Sequence, residues 1–158
     1  MAVPSWKRKL SNTQFLYEIF NLNVVIGRIV GNTPKKYTNS YGDSLIKLGV
    51  EAYQHANLAN SIFVQDQSSY ELRRNEFDQA INCCATIGTF VYIYLELIKN
   101  ADGLSNNKKN KIYFWEEEIG NGIANTISMM KSIKKYDRTE WNKKKENMVT
   151  EVDKIDKV

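Results

Sequence analysis

An all-α, up-down-up-down four-helix bundle is the fold class this sequence predicts. Three observations carry the prediction. Four segments have apolar residues recurring at alternating steps of three and four, the connections between them are short and polar, and no segment sustains the alternation of a strand. Composition agrees: of 158 residues, 42% are hydrophobic and 25% charged, with only 2 prolines and 8 glycines. A chain of this length buries a full core without disulfides or metals and makes one domain of ordinary size.

The first stripe is Phe15, Ile19, Leu22, Ile26 and Ile29. Ser11, Asn12 or Thr13 is expected to cap its start by accepting backbone N–H bonds. Gly31, Asn32, Thr33 and Pro34 end it, because proline cannot continue the hydrogen-bond ladder. Lys35, Lys36 and Tyr37 then fall in an exposed connection. The second stripe is Leu45, Leu48, Ala52, Ala59 and Ile62, with Asp43 or Ser44 as its cap. Ala52, Ala56 and Ala59 let a neighbouring helix approach closely. This helix is expected to end near Gln65 to Gln67, with Ser68 or Ser69 capping the next.

The third stripe, Phe77, Ile81, Cys84, Gly88, Val91, Leu95 and Ile98, holds its rhythm for about six turns. Ala80, Ile87, Phe90, Tyr94 and Leu97 widen it enough to face more than one neighbour. Residues 100–107 read as a loop. The fourth stripe is Ile112, Trp115, Ile119, Ile123, Ile127, Met130 and Ile133. Beyond Tyr136 the period fades. That divides the chain into a bundle domain over 1–138 and a polar, charged C-terminal extension over 139–158. Gly27, Gly49, Gly88, Gly120 and Gly122 lie inside helical segments, where each costs about 1 kcal/mol relative to alanine. Close helix contact is the expected compensation.

Little of the usual catalytic chemistry is present. Cys83 and Cys84 are adjacent, which excludes a disulfide scaffold and, with a single histidine, a four-ligand zinc site. A reducing, cytoplasmic setting is expected. The apolar stretch from Ile87 to Ile98 is interrupted by Gly88, Thr89 and Glu96 and reads as too short to span a bilayer. Lys7, Arg8 and Lys9 are followed by Ser11 and Asn12 rather than by a signal-peptide core. No cofactor motif occurs, since Gly120 and Gly122 lack the strand and lysine of a phosphate loop. His55 has Glu51 one turn earlier but no nucleophile beside it, so a packing or surface role is expected. Cys84 falls on the inner stripe as a small hydrophobe. Glu116, Glu117 and Glu118 point in different directions, so they face solvent or pair with Lys111. The chain is read as no enzyme. A helical ribonuclease with an Arg-x4-His motif does not fit either, because Val50 stands five residues before His55.

Charge is local. The formal net charge is +4, but Lys7 to Lys9 carry +3, segment 131–145 carries +5 and segment 67–104 carries −2. Lys35 and Lys36, with Lys131, Lys134, Lys135 and Arg138, are the best candidates for contacting nucleic acid. Arg73 and Arg74 stand beside Tyr70 and Glu71, as a phosphate-binding pair or as helix-start ion pairs.

Taken in order, several short segments resemble a known family. They are Phe15 to Ile29, Pro34-Lys35-Lys36-Tyr37, Ala59 to Val64, Tyr70 to Arg74, Gln79-Ala80-Ile81, and Trp115 with Ile119. Over residues 3–138 the chain resembles the accessory variability determinant (Avd) proteins of diversity-generating retroelements. The resemblance implies a homopentameric barrel of four-helix bundles with no catalytic activity of its own. It implies binding to the retroelement's reverse transcriptase and template-repeat RNA, in support of mutagenic cDNA synthesis. By position it assigns contacts to Lys35, Lys36, Arg73, Arg74 and Lys131. The alternative is a general RNA-binding or ribosome-associated bundle of the ribosomal-RNA intervening-sequence type. The chain has Met130 where family members often have a tryptophan, and it continues through 139–158.

Overall fold

The structure, a computed structural model, describes the backbone over residues 5–100 and 104–155 and the side chains over 13–100 and 104–148. Four helices account for nearly all of it. Helix α1 is Ser5–Gly31. Helix α2 has three parts, Lys35–Tyr37, a π-helical turn Thr38–Gly42, and Asp43–Ser61. Helix α3 is Gln67–Lys99 and helix α4 is Asn106–Ile155. Among the described residues there is no strand.

Short connections force consecutive helices to run antiparallel, and the contacts show it. Asn23 of α1 meets Gly49 of α2, His55 of α2 meets Glu76 of α3, and Lys99 of α3 meets Glu116 of α4. Helix α4 closes the square by packing on α1. Phe15, Ile19 and Ile26 of α1 meet Phe77, Ile87 and Leu95 of α3 in one continuous core. The Phe15 and Phe77 rings are 5.6 Å apart in a tilted pair across its centre.

The helix boundaries differ from expectation for physical reasons. Helix α1 starts at Ser5, ahead of Ser11, because no glycine or proline interrupts 5–13. Pro34 both ends α1 and opens α2. Its φ of −58° suits a helix start, and it lacks the N–H that a helix start leaves unpaired. Lys35, Lys36 and Tyr37 are therefore helical rather than in a loop, and Asp43 and Ser44 lie inside a helix instead of capping one. Tyr37, Thr38 and Asp43 all keep right-handed helical angles, so the π-turn widens the helix without breaking it. Helix α2 stops at Ser61, earlier than expected. The cap of α3 is Asp66, whose carboxylate accepts from the Ser69 N–H at 2.8 Å while the Ser69 hydroxyl accepts from the Asp66 N–H at 3.0 Å.

Helix α4 has no break at 138. Trp141, three turns beyond Met130, is only 6% exposed. It stacks on Tyr70, with ring centroids 5.5 Å apart, and its Nε1 donates to Gln67 at 2.9 Å. The polar pattern after Tyr136 hid this contact, because one aromatic ring does the packing of a whole turn.

Close approach explains only some of the glycines. A Cβ on Gly49 would lie 2.1 Å from Asn23 Oδ1, and one on Gly42 would lie 2.9 Å from Val30. The Asn23 side-chain amide donates to both Ile19 and Gly49 carbonyls at 2.9 Å, locking α1 against α2. Gly27 and Gly120 face open space, so helix contact does not account for them.

Helix α3, at 33 residues, is the one described helix long and apolar enough to cross a membrane. That corrects the expectation of an apolar stretch too short for it. Inside the bundle its apolar faces pack against α2 and α4.

Candidate nucleic-acid interface

The eight basic residues singled out by sequence do not share one surface. Lys35 and Lys36 start α2 at one end of the bundle, beside Pro34. Lys111 lies at that same end, and Lys131 is farther along α4 by about 30 Å at 1.5 Å per residue. The structure thus separates the lysines of α2 from Lys131 and the candidate bases beyond it on α4.

Among the candidate bases of α3 and α4, roles divide. Arg73 is committed to the fold. Its Nε donates to Asp137 at 2.6 Å, and its Nη1 donates to the carbonyl oxygens of Ala59 at 2.8 Å and Ile62 at 3.2 Å. It thereby ties the end of α2 to α4 and satisfies carbonyls that the helix terminus leaves open. Lys134 forms an ion pair with Asp78 of α3. Arg74 is exposed and donates to the Tyr70 hydroxyl at 3.3 Å. Lys131, Lys135 and Arg138 are exposed, with no carboxylate partner among the described residues. Their spacing of four and three puts them on one face of α4. Lys131 and Lys135 flank a shallow groove with Ala124, Ile127 and Ser128.

Other candidate groups are tied up in packing. Glu76, 9% exposed, accepts from His55 Nδ1 at 2.6 Å. The partner of the histidine is therefore on α3 and is not Glu51. Cys84 is fully buried, and burial pushes its thiol up to about 12, with Cys83 beside it adding to the shift. Burial raises the Cys83 thiol as well. Lys99 bonds Glu96 at 2.9 Å and Glu116 at 2.7 Å. Burial works against its charge, but these two carboxylates outweigh it and raise its pKa. Glu116 is thereby used, and Lys111 is left without the partner the sequence suggested.

Sequence reasoning missed the consequence at the Pro34 end. A cleft of about 480 Å³ opens there, between the end of α1, the end of α3 and the start of α4. Lys108 and Lys111 stand on its wall, and Trp115, expected in the core, lines it half-buried. The signal was legible as a run of lysines at 108, 109 and 111 with no acidic residue between 103 and 115. Among the described residues, no group of three or more His, Cys, Asp or Glu is placed to hold a metal ion.

Fold and surface together define an antiparallel four-helix bundle with unneutralised bases on the outer face of its last helix and around one end. The chain matches no protein-family model, no curated protein and no solved structure.

Proposed function

We propose that this chain is a non-catalytic accessory protein of a diversity-generating retroelement. In the cytoplasm, a homopentameric ring of bundles holds the reverse transcriptase and its template-repeat RNA during mutagenic cDNA synthesis. The observation that carries the nucleic-acid half is the exposed row of Lys131, Lys135 and Arg138. A row of bases along one helix face matches a line of backbone phosphates, and in a ring the row repeats at fixed intervals so that weak contacts add.

Exposed apolar residues on both helix pairs support the ring. Phe20, Val50 and Tyr53 line a groove between α1 and α2, with Phe20 55% exposed. Tyr92, Ile93 and Tyr113 are exposed on the other two helices, α3 and α4. Head-to-tail rings need two different surfaces on each copy, whereas a two-fold dimer needs only one. Exposed aromatic patches of this kind mark association sites. His55 and Cys84 have packing roles, which fits a chain that leaves the chemistry to its partner.

Native mass measurement and filter binding of template RNA at two salt concentrations test the reading. The expected outcome is a pentamer whose RNA affinity falls as salt rises. The triple variant K131Q/K135Q/R138Q should keep the ring mass, bind more weakly and show a shallower salt slope. A monomer removes the ring, and an affinity indifferent to salt removes the phosphate mechanism.

A further inference from the structure

We infer that the cleft at the Pro34 end is a separate binding site for a nucleoside 5′-phosphate, from a free nucleotide or from the 5′ end of a single strand. This goes beyond the ring and its reverse transcriptase and does not require them. Three observations converge on it. The cleft measures about 480 Å³, within the roughly 300–1,000 Å³ of small-molecule pockets. Its wall combines an apolar part, Ile98, Leu104 and Ile112, with the aromatic residue Trp115 and the basic residues Lys108 and Lys111.

Charge is the third. Lys35 and Lys36 directly follow the lining residue Pro34 in sequence, and Lys109 lies between the two wall lysines. None of these five lysines has a carboxylate partner among the described residues. No acidic residue occurs in 19–42 or 103–115, and the nearby Glu96 and Glu116 are both taken by Lys99. Like charges gathered around a concave, low-dielectric wall focus their field on it and attract an anion.

The polar groups of the turn are otherwise engaged. Thr33 bonds Val30 and the Tyr94 hydroxyl, and the Asn32 amide donates to Arg28. The free chemistry of the cleft is therefore an aromatic face beside two cations. A ligand with a flat base and a phosphate matches both, whereas phosphate alone leaves the apolar wall unused.

Tryptophan fluorescence titration of the intact chain tests the site. The probes are magnesium-free adenosine triphosphate, pyrophosphate, and an adenine octaribonucleotide with and without a 5′-phosphate. Adenosine triphosphate should quench, and Trp115→Phe should remove the quenching even though Trp6 and Trp141 remain. Lys108→Gln with Lys111→Gln should weaken binding by roughly tenfold, the loss of charge-assisted hydrogen bonds. K131Q/K135Q/R138Q should leave it unchanged, which separates this site from the row on α4. Preference for the phosphorylated octamer over the unphosphorylated one identifies a strand end as the source. Binding of adenosine triphosphate with no such preference identifies a free nucleotide. The inference is overturned if no probe binds, if the double lysine variant binds as well as the parent, or if pyrophosphate binds as tightly as adenosine triphosphate.

Discussion

The two ends of this bundle use their positive charges differently. At the end where Asp66 caps α3, several bases are spent on the fold, while Arg74, Lys135 and Arg138 stay exposed. Arg73 holds Asp137 and two carbonyls, Lys134 holds Asp78, and Lys144 donates to the Gln65 carbonyl at 2.7 Å. At the Pro34 end, Lys35, Lys108, Lys109 and Lys111 have no carboxylate partner among the described residues, and a cleft lined by Lys108 and Lys111 opens there. The same residue type is mortar at Lys134 and a free cation at Lys111. The difference teaches that a count of basic residues says little until each one's partner is known.

The largest expected effect is at the closed end. Trp141→Ala removes a buried, stacked ring and leaves a cavity beside Tyr70, and should cost about 3 kcal/mol. For a chain of this length that lowers Tm by roughly 6–12 °C in a thermal melt followed by circular dichroism. Arg73→Ala comes next. It strands the half-buried Asp137 and uncovers the carbonyls of Ala59 and Ile62, at about 2–3 kcal/mol. If both variants melt like the parent, the end at Asp66 is not closed by these contacts and the contrast between the ends fails.

How legible this was depended on the kind of signal. The four helices were written in the apolar steps, as Ile19, Ile26, Phe77, Ile87 and Ile119 all turn inward. The caps were harder, because Asp66, Ser68 and Ser69 are all good capping residues and only geometry chooses among them. Pro34 was read as a stop, yet proline also suits a helix start, and it is both here. Single long-range contacts left no periodic trace. Nothing in the spacing says that Arg73 meets Asp137 or that Trp141 reaches Tyr70. The candidate interface was half legible for the same reason. Lys131, Lys135 and Arg138 are where a helical face puts them, while Arg73 and Lys134 are held in ion pairs and Lys111 reads from the sequence only as a partner for the glutamates.

A pH dependence sharpens the comparison further. The Ser69 backbone N–H, and then its hydroxyl, hold the Asp66 carboxyl below its ordinary value. A carboxyl lowered by folding stabilises the protein above its unfolded value, and that stabilisation is lost as pH falls through the folded one. Thermal melts at neutral pH and at about pH 3 should show a smaller acid-induced drop for Asp66→Ala than for the parent. An equal drop in both would mean that the cap contributes nothing to acid sensitivity.

The smallest effect is expected at the open end, and its smallness is the point. Lys108→Gln with Lys111→Gln removes no ion pair and no buried contact, so stability should move by less than about 0.5 kcal/mol. The sign should be favourable, because the change relieves repulsion among neighbouring ammonium groups. That repulsion is screened over about 10 Å at 0.1 M salt. The parent should therefore gain more in Tm between low and moderate salt than the variant does. A loss comparable to that of Arg73→Ala would place these lysines among the contacts that hold the bundle together. The cleft would then be a structural seam, and its charge would not be free to meet an anion.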